Sequence, residues 1–284
     1  MDELSVKHIG FQGEHGAYSE QAIFDHFGQD VEPVTLRTVS DVFRAVENGE
    51  TEAGVVPVEN SIGGNIYETY DMLAETTLNI TGEIVLKIEH CLIGLHGAHL
   101  SEIRTVYSHP QAIEQCREFL TRLGVKMVGT YDTAGSVRMI KEKGMKDGAA
   151  IAGERNAALY GLSVIEKGIE GKSANYTRFL ILSRDSQHVA EQAKTSLIFS
   201  VDHTPGSLYR ALAPFAELGI NLCKVESRPK KGHPWEYHLF MDFEGNMDDE
   251  ACINAVRRLR GLSQYVKVLG SYPMALPPKS NNAI

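Results

Sequence analysis

Thr177 and Arg178 stand side by side in NYTRFLIL, where a polar cluster gives way to an apolar run. A threonine hydroxyl donates a hydrogen bond but is too weak to serve as an acid. A guanidinium forks onto a carboxylate through two parallel bonds, which makes Arg178 the candidate for gripping an anionic substrate. A plain turn leading into an edge strand accounts for the same residues. Three further polar stretches fall where apolar segments end. Glu59, Asn60 and Ser61 follow VVPV and precede Gly63-Gly64, so they offer polar side chains at a strand terminus or cap the next helix. Ser108 precedes His109-Pro110, and proline suits the first turn of a helix. Ser108 or His109 is then the cap, and Ser108 at a helix start also suits a carboxylate. Gln111 and Gln115 are four apart and share one helix face. In GFQGEHGAYSEQA the glycines lack the GxGxxG spacing of dinucleotide sites. A tight turn whose following amides hold an anion remains open there, as does a turn with no ligand.

These stretches need a frame. Apolar segments predict strands over 6–11, 53–58, 84–95, 103–107, 126–129, 149–152 and 179–182. Helical patterns lie between them over 20–27, 41–48, 66–74, 111–122, 134–143 and 154–160, with Ser19 and Ser40 as two expected N-caps. Such alternation predicts α/β layers with mostly parallel sheets, whose ligands sit beyond the carboxyl ends of the strands. The polar segment 183–194 reads as a linker. Beyond it the order becomes β-α-β-β-α-β, with strands over 195–201, 222–228, 237–243 and 265–271 and helices over 207–218 and 248–259. That is a ferredoxin-like arrangement. The expected division is therefore a first domain over 1–182, a linker over 183–194 and a second domain over 195–276.

Composition narrows the function. A net charge of -9 argues against nucleic acid and anionic membranes, which call for a basic face. No apolar run approaches the roughly 20 residues of a membrane span. The start, MDELSVKHIGF, has no apolar core of a signal peptide, so a cytoplasmic protein is expected. Four scattered cysteines without a CxxC pair predict reduced thiols rather than a metal or redox centre. His96 and His99 form an HxxH with no nearby ligand to complete a site.

Read in order, FQGEHGAYSEQA, GVVPVENSIGG, SHPQAIEQC, AAIAGERNAALYGL and NYTRFLIL resemble the prephenate dehydratase family over nearly the whole chain. The triplet Thr177-Arg178-Phe179 matches the family's catalytic signature. The C-terminal part resembles the regulatory ACT domain, with GSLY at 206–209 where GALV is usual, and a complete ESRP at 226–229. The resemblance implies a two-lobed, periplasmic-binding-protein-like (type 2) catalytic domain with its site in the cleft. One lobe would take roughly residues 1–75 plus a returning strand, the other 76–175. It implies decarboxylative dehydration of prephenate to phenylpyruvate, without cofactor or metal. Thr177 would be the donor to the leaving hydroxyl, with Asn60, Ser108 and Gln115 as its catalytic companions. Arg178, Ser61, Glu59 and Phe179 would bind substrate, Arg178 on the pyruvyl carboxylate. L-Phenylalanine would bind the ACT domain through Gly206, Ser207, Leu208, Asn221, Leu222, Glu226, Ser227 and Arg228, some of them from a neighbouring subunit. A monofunctional enzyme assembled as a homotetramer, a dimer of dimers with paired ACT domains, is the implied form. Arogenate dehydratase is the rival reading, and a non-enzymatic small-anion or amino-acid sensor the more distant one.

Overall fold

The computed structural model describes residues 7–171, 174–186 and 192–275. The chain opens with β1 (Lys7–Gln12), α1 (Tyr18–Phe27), β2 (Val31–Leu36), α2 (Val39–Asn48), β3 (Ala53–Asn60), β4 (Gly64–Asn65), α3 (Tyr67–Glu75) and β5 (Asn79–Lys87). It then crosses into β6 (Cys91–Gly94), a short 3-10 turn, β7 (Thr105–Ser108), α4 (Pro110–Gln115), α5 (Arg117–Leu123), β8 (Lys126–Gly129), α6 (Thr133–Lys143), β9 (Gly148–Ala152), α7 (Arg155–Tyr160) and β10 (Ser163–Lys167). The return strand β11 (Tyr176–Ser183) inserts between β3 and β5. The first sheet has the order β2-β1-β3-β11-β5, with β4 on β3, and the second β10-β6-β9-β7-β8. Two lobes joined by a crossing at 88–90 and by the return of the chain from β10 to β11 give the expected two-lobed frame.

Several expectations need correction. The sheets are mixed rather than mostly parallel, because β11 runs antiparallel to both β3 and β5, and β6 antiparallel to β9 and β10. The apolar run 84–95 is two strands in different lobes, so the first lobe extends to Lys87 instead of residue 75. The helix expected over 111–122 breaks at Cys116 into α4 and α5. The N-caps are Ala17 and Thr38 instead of Ser19 and Ser40. Thr38 wins because its hydroxyl and the Asp41 carboxylate close a reciprocal capping box. The segment proposed as a linker is strand at both ends and lies partly outside the described residues.

The second domain follows as β12 (Ala193–Ser200), α8 (Ser207–Glu217), β13 (Leu222–Pro229), β14 (Tyr237–Glu244), α9 (Glu250–Gly261) and β15 (Tyr265–Pro273). Its sheet order, β13-β14-β12-β15, is the expected ferredoxin-like one. One face is covered by α8 and α9 over Phe199, Phe215, Met241 and Phe243. The other face joins the catalytic domain in a single apolar cluster, where Ile198, Phe240, Leu269 and Tyr272 meet Val56, Leu73, Ile80 and Leu182. Gly270 lies at this seam with φ 151, and a Cβ there would stand 2.2 Å from the Ile80 carbonyl oxygen. Only glycine lets β15 approach β5 so closely.

Candidate active site

β3 and β11 run side by side, with Thr177 opposite Asn60. Strand residues alternate between faces, so Thr177 and Phe179 point to one side and Arg178 to the other. Thr177, Phe179, Asn60 and Gln115 line the cleft between the lobes, a cavity of about 330 Å³. Gln12, Tyr18, Ser19, His90, His109, Gln111, Tyr131, Asp132 and Thr133 complete most of its polar wall. Among the described residues, those lining the cleft include two histidines but no lysine or arginine. A bound anion there would meet neutral donors and helix starts. The first turn of α1 is one, since its N-cap Ala17 supplies no side-chain bond.

The hydrogen bonds around Thr177 have a fixed direction. Backbone N–H groups only donate, and those of Ile62 and Gly63 point at Asn60 Oδ1, at 3.1 and 2.7 Å. Asn60 Nδ2 is therefore the donor toward Thr177 Oγ1 (3.0 Å), Asn175 Oδ1 (2.7 Å) and the Tyr176 carbonyl (3.1 Å). With Thr177 Oγ1 accepting from Asn60, its own proton is free for a ligand in the cleft. Gln115 enters from the other lobe. Its Oε1 accepts from Asn175 Nδ2 at 3.0 Å, and its Nε2 lies 3.5 Å from Asn60 Oδ1.

Four of the expected site residues lie away from the cleft. Arg178 is held by Glu83 (2.6 Å), Asp242 (2.7 Å) and the Tyr272 hydroxyl (3.0 Å) on the opposite face of β11. Burial alone would lower its pKa, but Asp242, Tyr272 and Glu83 outweigh that and raise it above the ordinary arginine value. It is a buried tie to the second domain, so the expected carboxylate clamp is corrected. Glu59 alternates away from Asn60 and pairs with Lys224 at 2.7 Å. Ser61 bonds the Ala174 carbonyl and the Tyr176 N–H. Ser108 is fully buried, donates to the Ile151 carbonyl at 2.7 Å, and does not cap α4, whose N-cap is His109. Tyr18, His90 and Asn175 are functional-site candidates that sequence reasoning missed. Tyr18 and Asn175 sat within stretches already singled out, while His90 lay inside a run read as one strand.

The second domain carries a hollow lined by Asp202, His203, Thr204, Pro205, Ser207, Leu208, Ser227, Trp235, Tyr237 and Gln264. Gly206 begins α8 beside it with φ 80, a conformation that suits glycine. Of the other expected effector residues, Glu226 lies on the edge strand β13 beside Ser227, and Leu222 packs on its own domain core. Arg228 is turned to Asp71 of α3. Asn221 bonds Glu244 and lies about 20 Å along the strand from Ser227, so one chain does not bring those two together.

A family model described as prephenate dehydratase matches residues 9–187, and one described as the ACT domain matches 195–261. The chain is 40% identical over 277 residues to arogenate dehydratase/prephenate dehydratase 2 of Arabidopsis thaliana, covering 94% of this chain and 72% of that protein. It is 36% identical to a bifunctional chorismate mutase/prephenate dehydratase of Enterobacter agglomerans, over 93% of this chain and 70% of that one. A prephenate dehydratase from Arthrobacter aurescens, solved in complex with L-Phe, superimposes with a TM-score of 0.87 at 29% identity, over 95% of this chain and 92% of that one. A structure described as a novel type of quorum-quenching acylase superimposes with a TM-score of 0.88 at 33% identity, over 95% and 98%.

Proposed function

For a chain that belongs to the prephenate dehydratase family, we propose the decarboxylative dehydration of prephenate to phenylpyruvate, under feedback from L-phenylalanine at the ACT domain. The observation that carries this reading is the Thr177 hydroxyl on the cleft wall, accepting from the Asn60 amide at 3.0 Å, which leaves its proton for a ligand. In the reaction the ring C–O bond breaks toward oxygen, and the electron pair of the bond to the ring carboxylate flows into the ring. Carbon dioxide and hydroxide leave, and hydroxide takes a proton from solvent. The ring becomes aromatic, which supplies the drive. The protein needs a donor where negative charge grows on the leaving oxygen, and that role is assigned to Thr177. Gln115 and Asn60 hold the donor network in register. The two substrate carboxylates meet the α1 start, Gln12, Gln111 and His109 instead of Arg178. Phe179 packs under the ring. No step calls for a cofactor.

Arogenate, the amino analogue, is the second reading, and the plant relative named for both activities favours keeping it. An acylase reading has less support, since the Thr177 hydroxyl meets an amide rather than a base that would activate it. The Asn221 end of β13 and the hollow at Ser227 would share one phenylalanine only across two subunits, which fits paired ACT domains in a homotetramer. A cytoplasmic setting is part of the same reading, and among the described residues no helix is long and apolar enough to cross a membrane.

Side-by-side assays of purified protein on prephenate and arogenate test the activity. Phenylpyruvate from prephenate is the expected product, and turnover of neither substrate overturns the reading. Calorimetry with L-phenylalanine tests the effector, and reciprocal weakening between it and a substrate analogue is expected.

A further inference from the structure

His90 occupies the first crossing between the lobes and is 2% exposed. Its Nδ1 lies 2.8 Å from the Tyr18 hydroxyl and its Nε2 2.7 Å from Gln115 Oε1. Which nitrogen carries the proton follows from the backbone. The amides of Ile62 and Gly63 fix Asn60 Oδ1 as an acceptor. Asn60 Nδ2 then donates to Asn175 Oδ1, so Asn175 Nδ2 donates to Gln115 Oε1. That oxygen accepts, so the His90 nitrogen facing it donates. Burial pushes the His90 pKa down, against smaller opposing effects of the Gln115 bond and Glu170, and so favours the neutral ring. In the neutral ring Nδ1 is bare and accepts from Tyr18, whose one proton it shares with the Glu89 carbonyl at 3.0 Å. The Glu170 carboxylate holds the His90 backbone N–H at 2.8 Å and anchors the crossing.

We infer that His90 and Tyr18 are positioning residues for the dehydration: the His90 Nε2–H and the Tyr18 hydroxyl lock the Gln115 amide across the two lobes, with its NH2 turned toward Asn60. Neither touches Thr177. They act through Gln115, whose oxygen is filled by two donors and whose nitrogen is thereby presented to Asn60 Oδ1 and the cleft. Without the His90 donor, the Gln115 amide has one fixed partner left on its oxygen and is free to turn over. An amide turned over would set an oxygen against Asn60 Oδ1, two acceptors facing each other. The register of the donor chain that ends at Thr177 then loosens. Tyr18 belongs to the first lobe and Gln115 to the second, so the same pair of bonds ties α1 to α4 through the crossing.

The inference rests on the dehydratase reading, and its test separates the two. Glutamine places an amide N–H near the position of Nε2, methionine matches the length without a donor, and asparagine reaches only the position of Nδ1. His90→Gln should keep most of the kcat, whereas His90→Met should lose roughly 10-fold or more with a smaller change in KM, the scale seen when a supporting hydrogen bond behind a reactive group is removed. Each variant's thermal unfolding is measured alongside, and His90→Asn replaces the methionine variant if that one does not fold, with the same loss expected. Equal loss in the glutamine and donor-free variants would overturn the role. Nitrogen NMR of the wild-type ring reads the tautomer without any turnover. A protonated Nε2 and bare Nδ1 are expected, and the same tautomer in Tyr18→Phe, because Gln115 Oε1 still accepts from Nε2 there. A wild-type ring protonated on Nδ1 alone would overturn the relay even if dehydration is confirmed. Absence of turnover in the wild type would instead fail the dehydratase reading and leave the tautomer result standing.

Discussion

Strand β11 is gripped from both sides, and the two grips are built differently. On the cleft side Thr177 meets Asn60, which is linked in turn to Asn175 and through it to Gln115, all neutral amides joined by directed hydrogen bonds. On the other side Arg178 meets Glu83, Asp242 and Tyr272, with Lys194 also on Glu83 at 2.7 Å. Ser196 completes that cluster by bonding both Asp242 and Tyr272. Neutral amides lose less on drying than ions do and exchange partners at modest cost, so they suit a cavity that fills and empties. A dry ion cluster resists losing any member, because the remaining charge is stranded. It suits a seam that stays shut. The contrast sets a cleft between the lobes lined by exchangeable neutral bonds against an ionic seam between the catalytic and regulatory domains.

The largest expected effect comes from breaking the seam. Arg178→Met should cost about 3–5 kcal/mol of stability by stranding Asp242, while Glu83 keeps Lys194, seen as a large fall in melting temperature. A variant as stable as wild type would erase the contrast. Next is Thr177→Val, which keeps shape but removes the donor. Its kcat should fall by roughly 100-fold with little change in unfolding, because Asn60 Nδ2 retains Asn175 Oδ1 and the Tyr176 carbonyl. Acidification should then separate the two sides. Burial lowers the pKa of His26, His90, His109 and His238, two of which line the cleft. Their unfolded forms bind protons first, so the stability they confer is complete above about pH 6.5 and lost as pH falls below it. Melting temperature should drop between about pH 7 and pH 5, while Arg178 stays charged throughout. A flat profile would show that the cleft histidines charge without penalty. The smallest effect belongs to Lys231→Ala. Its pair with Glu75 lies at the seam but is solvent-exposed on both sides, so a loss of about 0–1 kcal/mol is expected by thermal unfolding. A larger loss would mean that burial is not what distinguishes the seam.

Much of this was legible in the residues, and the failures have physical causes. The βαββαβ order and most helices follow from periodicity. β2 escaped because Pro33 interrupts a weakly apolar run, and the structure tolerates it because β2 is an edge strand. His90 escaped because Ile84 to Leu95 is apolar on both sides of the crossing, so nothing in hydropathy marks the point where the chain changes lobes. Arg178 was misassigned although the signal was present. Thr177, Arg178 and Phe179 are consecutive in a strand, and the pleat alone places the middle one on the opposite face. Glu59 beside Asn60 repeats that lesson on the neighbouring strand.

The hollow on the regulatory domain has an optical consequence. Trp235 is the single tryptophan in 284 residues, and it forms part of that wall while 80% exposed. Excited at the red edge, where the eleven tyrosines do not absorb, the emission of the whole chain is therefore a local signal from one indole beside Tyr237 and Ser227. A ligand that covers the ring removes it from water, so its emission moves to shorter wavelength without a label and without turnover. Occupancy of the regulatory domain and activity in the cleft become two separately readable channels in one cuvette.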